Sequence, residues 1–216
     1  MPIDPPPEAP THAQGRTRLD RNRIVTAAIQ LLDEEGIAEL STRRLAARLG
    51  VRSPTLYWHV RDKAELLDLV AEELCADSFD IDAGLPWRNQ LEQGLHQFRS
   101  LVLAHRDVAA LLRDRPPHGP NRRGHIETTV RILLEAGLTV EDAAGVSRLL
   151  VSHVLSTHPG DLAPLAEAAG EVGSSDDYPN LRRVAPALAG LSGDALFELG
   201  MQVILDGIEA RLTAHR

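Results

Sequence analysis

STRRLAARLGVRSPTLYWHVRDK, residues 41–63, reads as two short helices joined by a tight turn. Leu45, Ala46 and Leu49 give the first helix an apolar side. Gly50 is the residue that most cheaply takes a positive φ where a helix ends. Ser53 and Pro54 then restart the chain as an N-cap followed by proline at the first helical position. A helix over 54–59 is too short to stand alone, so Leu56 and Val60 must hold it against its neighbours. Its other face is left with Thr55, Tyr57, Trp58 and His59. Adjacent helix positions cannot both face inward, so Tyr57 and Trp58 are not both core residues. Rings with polar tips suit a DNA groove, where they pack on sugars and thymine methyls while the tips reach phosphates or base edges. The alternative, a core aromatic, fits Tyr57 better than Trp58.

Charge points the same way. Residues 41–63 hold six Lys/Arg against one acid, Asp62, a net of +5; from residue 64 onward 13 Lys/Arg meet 23 Asp/Glu, a net of −10. A chain of formal charge −8 is a poor polyanion binder taken whole. Positive potential must therefore be gathered where a duplex would dock, and 41–63 is the segment that does so.

A chain of 216 residues can hold one large or two small domains with real cores. Hydrophobic content of 43% with only 3% aromatics, in Leu/Ala/Val runs without strand alternation, predicts an all-α fold. The single cysteine, Cys75, excludes an intramolecular disulfide framework and fits a reducing compartment. With no signal-type leader and no apolar run long enough to span a bilayer, the expectation is a cytoplasmic protein with no membrane partner.

Residues 1–17 are rich in Pro and can bury almost nothing, so a disordered arm is expected there. Asp20 caps a helix over 21–35, with Ile24, Ala27, Ala28, Leu31 and Leu32 at helical spacing. That helix completes a three-helix head over 18–64. Asp62 caps a connecting helix, about 63–78, the mechanical link to a second domain over 79–216. There the spacing predicts helices near 87–105, 107–114 with Asp107 as cap, 121–137, 140–157 with Thr139 as cap, and 193–214, with 158–180 as a loop rich in Gly, Pro, Ser and Asp. The apolar faces of 140–157 and 193–214 exceed what one small bundle buries. Two such helices from each subunit are expected to form a four-helix bundle in a homodimer, with Gly200 and Gly207 permitting close approach. A monomer burying those faces internally is the alternative. DNA reading favours the dimer, because two recognition helices held about 34 Å apart read a palindrome.

Arg18–Leu74 carries Arg-Leu-Asp, Leu-Leu-Asp-Glu-Glu-Gly, Leu-Ser-Thr-Arg-Arg-Leu-Ala-Ala-Arg-Leu-Gly-Val and Pro-Thr-Leu-Tyr-Trp-His-Val. In these motifs the chain closely resembles the tetracycline-repressor (TetR) family, in the branch that contains the tetracycline repressor itself. Trp87 and His105-Arg106-Asp107 extend a weaker likeness into the second domain. The resemblance implies an all-α dimer with an N-terminal three-helix helix-turn-helix DNA-binding domain and a C-terminal helical ligand-binding and dimerisation domain. Such a protein occupies a double-stranded DNA operator until a small-molecule effector binds. By motif position, the resemblance assigns DNA contacts to Thr42, Arg43, Ser53, Pro54, Thr55, Tyr57, Trp58, His59 and Lys63. Arg43 would be a bidentate guanine reader and Lys63 a phosphate anchor.

Tetracycline repressors surround a magnesium-chelated drug with histidine, asparagine and a second histidine with a neighbouring threonine. The matching positions here are Phe79, Gly94 and Leu112, followed by Arg113–Arg115. Apolar groups cannot coordinate magnesium, so no metal and no cofactor are expected. Phe79, Phe98, Leu112, Pro116, Ile126, Val130, Leu134 and Leu149 predict a mostly apolar cavity, with Arg115 and His153 as polar contacts, suited to a hydrophobic or polycyclic effector. Each of them could equally be core filler.

Other chemistry finds little support. Nine histidines invite a metal site, with His153 and His158 near Asp161, or His96 with His125, as the groupings to consider, but none has tight ligand spacing. There is no glycine-rich phosphate loop, nucleophile elbow or paired catalytic carboxylates, so an enzyme is not expected. Two readings remain: a ligand-responsive repressor, and a DNA-binding dimer with a degenerate, ligand-insensitive effector domain. They part on whether a small molecule lowers operator affinity while the dimer stays intact.

Overall fold

The computed structural model describes residues 19–76, 79–157 and 178–214, which form ten helices and no strand. In order they are α1 (Arg21–Glu35), α2 (Thr42–Arg48), α3 (Ser53–Tyr57), α4 (Lys63–Leu74), α5 (Trp87–Ala104), α6 (Val108–Asp114), α7 (Pro120–Ala136), α8 (Val140–Ser156), α9 (Pro179–Ala189) and α10 (Gly193–Ala214). The expected disordered arm over 1–17 and most of the expected loop over 158–180 fall outside the described residues. No single helix among the described residues is long and apolar enough to cross a membrane.

Local sequence explains most of the helix starts. The side chains of Asp20, Ser41, Asp62 and Thr139 each accept a main-chain N–H from the first turn of α1, α2, α4 and α8. Gly50, at φ 67°, turns the chain between α2 and α3. The helix α3 begins at Ser53 itself, one residue earlier than the capping pattern suggests, and has no side-chain cap. Leu56 is its single buried residue. The five-residue element therefore depends on tertiary packing rather than on its own hydrogen bonds.

Ile24, Ala28 and Leu32 of α1 pack with Leu40, Leu45, Leu56 and Val60 into the core of the head, all of them shut off from solvent. The helix α4 joins this core through Leu66 and Val70 and packs on α1 on one side and on α6 and α7 on the other. It ends at Leu74, with Cys75 as its C-cap, and so is shorter than the 63–78 expected. In the body, α5, α7 and α8 pack together, and α10 lies on α8 through Phe197, Met201, Leu205 and Ile208. Head and body share one continuous hydrophobic core.

Two expectations need correcting. The helix α9 lies in a stretch with no predicted helix: Pro179 opens it, Pro186 sits inside it, and only Ala185 is buried. Asp107 does precede α6, but its carboxylate caps nothing there. The residue itself stands in the left-handed region at φ 58°, and its Oδ2 accepts the N–H of Ile37, in the α1–α2 turn, at 2.9 Å. The geometry that would have made it a cap is given up for a link between head and body.

Candidate functional site

The outer face of the head is built from α2 and α3. With Leu56 turned inward, Tyr57 is 50% and Trp58 87% exposed. Thr55 and Pro54 are exposed, and Ser53 and His59 are half-buried. Tyr57 Oη lies 3.3 Å from Thr42 Oγ1, which brings the first residue of α2 beside the aromatic pair. Arg43 follows Thr42 on the exposed side. Lys63 stands apart from this group at the start of α4, where its Nζ donates to the Ile37 carbonyl at 3.3 Å.

The net charge of 41–63 overstates the charge available there. Arg48 forks onto Glu34 of α1 through two bonds of 2.6 Å, and Arg44 pairs with Glu35 and Glu39. Arg61 pairs with Glu65. The Arg48 and Arg61 guanidinium hydrogen bonds hold the Glu34 and Glu65 carboxyls below the usual carboxylate range, for Glu65 after its bond from the Arg61 N–H. Arg43, Arg52 and Lys63 carry no carboxylate partner among the described residues and remain the unneutralised cations of the segment. The acids come from outside the segment, Glu34 and Glu35 from α1, Glu39 from the α1–α2 turn and Glu65 from α4.

Several bonds tie the head to the body. His105 Nδ1 lies 2.9 Å from Asp33, whose carboxylate also accepts the Arg106 N–H at 3.1 Å. Further along, Arg115 forks onto Asp68 of α4 with two bonds of 2.7 Å. The Glu72 carboxylate, also on α4, accepts the main-chain N–H groups of Asn121 and Arg122. Those groups belong to the first turn of α7, whose N-cap, Gly119, has no side chain to satisfy them. Glu72 is thus an N-cap supplied by another helix, its negative charge set at the positive end of the dipole.

The Arg115 hydrogen bonds lower the Asp68 pKa against the opposing effect of burial. A carboxyl depressed in the folded state contributes stability above its unfolded pKa, and this is lost as the pH falls through the folded value. Asp68→Asn should therefore cost about 1 kcal/mol at neutral pH, the scale of a partly exposed forked pair. The difference from wild type should shrink only once the pH falls below 3.8 and vanish below the folded value, as urea unfolding at pH 7 and at a series of pH values below 3.8 will read.

Behind these links lies a cavity of about 1230 Å³ between α4, α5, α6, α7 and α8. Phe79, Ile81, Leu91, Leu95 and Phe98 line part of it, and Leu112, Arg115, Pro116, Arg122, His125 and Ile126 line another part. The Phe79 ring stands 5.9 Å from Phe98 and 3.8 Å from the His125 imidazole, centroid to centroid. His125 Nε2 sits 2.7 Å from the Cys75 carbonyl. Burial pushes the Cys75 thiol up to about 11, so it stays protonated at neutral pH and acts as wall rather than nucleophile.

Of the residues expected to line a cavity, Phe79, Phe98, Leu112, Arg115, Pro116 and Ile126 do so. Val130, Leu134, Leu149 and His153 do not line it, which corrects the sequence expectation. Leu134 and Leu149 face outward, 41% and 57% exposed. Val130 is half-buried elsewhere on α7. His153 turns to α10, stacking on Phe197 with its Nε2 2.8 Å from the Phe197 carbonyl. It fills the space left by Gly200, where a Cβ would overlap the imidazole. The close approach allowed by Gly200 is therefore within the chain, while Gly207 faces open space.

Leu91 and Leu95 share the helical stripe of Phe98 and were legible as apolar positions; nothing in the spacing marked Arg122 or His125 as cavity residues. Phe79, Gly94 and Leu112 line the cavity without offering a side-chain oxygen or nitrogen, so these three positions supply no ligand to a chelated magnesium ion. Among the described residues no group of three or more His, Cys, Asp or Glu converges on a point; His158 and Asp161 lie outside them.

Comparison with known proteins matches both parts of this arrangement. The model of the family described as "Bacterial regulatory proteins, tetR family" matches residues 24–70, and that of the "Tetracyclin repressor-like, C-terminal domain" matches 82–212. The class A tetracycline repressor from transposon 1721 of Escherichia coli is 37% identical over 202 residues, covering 90% of this chain and 93% of its own. Apo ActR from Streptomyces coelicolor superposes with a TM-score of 0.82 at 33% identity, covering 92% of this chain and 98% of its own. ActR in complex with actinorhodin gives 0.79 at 35%, covering 89% and 98%. BioQ bound to its double-stranded DNA operator gives 0.66 at 26%, covering 88% and 98%. With a head, a cavity-bearing body and most of its length in common with these regulators, the chain belongs to the TetR family of transcriptional repressors.

Proposed function

We propose that this repressor is ligand-responsive: it binds a palindromic operator as a homodimer and releases it when a hydrophobic or polycyclic effector fills the cavity. The observation that carries the reading is that α4 belongs to both sites. Leu66 and Val70 pack it into the core that holds α3, while Asp68 and Glu72 tie it to Arg115 and to the start of α7, at the cavity wall. The buried residues of α7, Ile132 and Leu133, lie toward its far end, so its first turn is held chiefly by Glu72. A ligand that displaces the first turn of α7 would drag α4 and change the separation of the two heads. To reverse a 1:99 population it must favour the released state by about 5.5 kcal/mol. The complex of ActR with actinorhodin and that of BioQ with its operator support both halves of this scheme by kinship.

On the DNA side, Thr42, Arg43, Ser53, Pro54, Thr55, Tyr57, Trp58, His59 and Lys63 form the proposed contact set. Arg43, exposed and without an ion-pair partner, is the guanine reader; Lys63 exchanges its carbonyl contact for a phosphate. Arg43→Ala should cost about 1–3 kcal/mol on the operator and relax preference at one base, with little change on random DNA. Lys63→Ala should weaken all sequences alike and reduce the salt slope by about one unit. Fluorescence anisotropy on matched duplexes separates the two.

The decisive experiment is a thermal-shift screen of planar and apolar molecules on the purified dimer, followed by operator release with each hit. Release from an intact dimer supports the proposal. Hits that bind the cavity and leave operator affinity unchanged would instead make the body a dimerisation module insensitive to ligand.

A further inference from the structure

The cavity wall is far more positive than the body around it. Five arginines line it, Arg113, Arg115, Arg122, Arg131 and Arg148, against two acids, Asp80 and Asp114, in a region whose net charge from residue 64 onward is −10. Arg115 is matched by Asp68 and Arg131 by Glu135. Arg122 is not matched. Half-buried in the first turn of α7, it donates to the carbonyl oxygens of Pro116, Leu112 and Arg115 at 3.0, 3.1 and 2.8 Å, and no carboxylate of the described residues pairs with it. Glu72, on the adjoining helix, spends its oxygens on main-chain N–H groups. Three of the five guanidinium donors are used, leaving two to offer.

Burial lowers the Arg122 pKa, and the fields of the neighbouring Glu72 and Asp68 offset this only in part. A charge in that position gains more from an incoming anion than an exposed arginine would, since the cost of drying it has already been met by the fold. Phe79, Phe98, Leu95 and Ile81 supply the apolar surface of the same cavity.

We infer that the effector is an organic acid, a planar apolar body lying against Phe79 and Phe98 with a carboxylate held by Arg122. The inference rests on the ligand-responsive reading and names the chemistry of its ligand. It also supplies a route to α4, because the acid brings a second negative charge beside Glu72, whose field already acts on Arg122. Repulsion there loosens the cap that joins α4 to α7.

The test uses full-length protein and two fluorescent probes of one shape, pyrene-1-carboxylate and pyrene-1-carboxamide, with dissociation constants measured by titration calorimetry at moderate salt. The acid should bind at least about tenfold tighter than the amide, as expected for a charge-assisted pair. R122Q should bring the ratio close to one and R122K should restore part of it. An amide that binds as well as the acid overturns the inference and leaves the repressor reading standing, since a neutral ligand can still release the operator. Binding of neither probe also overturns it, and operator release by the hits of the wider screen then judges the repressor reading separately. A ratio unchanged in R122Q removes Arg122 from the site. Should R122Q fail to fold by circular dichroism, the wild-type ratio and R122K decide.

Discussion

Val203→Arg is expected to yield a folded monomer whose operator affinity has dropped by more than about a hundredfold, that is, by roughly 3 kcal/mol or more. Val203 is 63% exposed on α10 and Leu199, one turn earlier, 59%; on α8 Leu149 is 57% exposed. The opposite side of α10 is fully occupied by Phe197, Met201, Leu205 and Ile208, so the outer stripe is not spare core surface. Gly207 continues the stripe one further turn, and Gly145 precedes Leu149 by one turn; a Cβ at either would meet nothing within 4 Å. Apolar side chains alternating with open glycines let another helix approach closely, and two helices from each of two subunits make a four-helix bundle. An arginine at its centre would be buried without a partner, at a cost of several kcal/mol. Sedimentation gives the oligomeric state, circular dichroism the fold, and anisotropy the operator affinity. A mutant that stays dimeric with wild-type affinity would move the interface away from α8 and α10.

Leu56→Ala should destabilise the protein by about 2–5 kcal/mol, the range for a buried leucine whose site cannot collapse around the void. Leu56 is the one inward side chain of α3, and it lies with Leu40, Leu45 and Val60 at zero exposure. Without it the five-residue helix has no hold on the head, and Tyr57 and Trp58 lose their fixed orientation. Operator binding should fall with stability, while binding of cavity ligands, more than one helix away, should persist. Urea unfolding measures the first effect and calorimetry with a cavity ligand the second. Unchanged stability would mean that α3 is held by something other than its leucine.

The head was the more legible part because its instructions are local. Asp20, Ser41 and Asp62 each act within three residues of themselves, and Gly50 acts at its own φ. The exposure of Trp58 followed from one helical period. The cavity was only half legible, since helical spacing shows that Leu134, Leu149 and His153 are on apolar faces without saying which neighbour each face meets. Leu149 looks outward and His153 meets α10. Arg122 and Glu72, 50 residues apart, give no pattern at all, and the same is true of Asp107, whose partner Ile37 is 70 residues away. The helix α9 gave no clear signal: it opens at Pro179, at the end of the stretch expected to be a loop, where the missing N–H costs nothing, and it carries Pro186 inside and only one buried residue.

On the proposed reading, two exposed heads carried by one dimer read a two-fold symmetric duplex. Selection from a randomised duplex pool with the purified protein at low salt tests it most directly. An inverted repeat whose half-sites lie about one helical turn apart, or a multiple of it, should be enriched, with affinity that falls steeply as salt rises. A pool that enriches no inverted repeat, or one bound equally well by the Val203→Arg monomer, would contradict it.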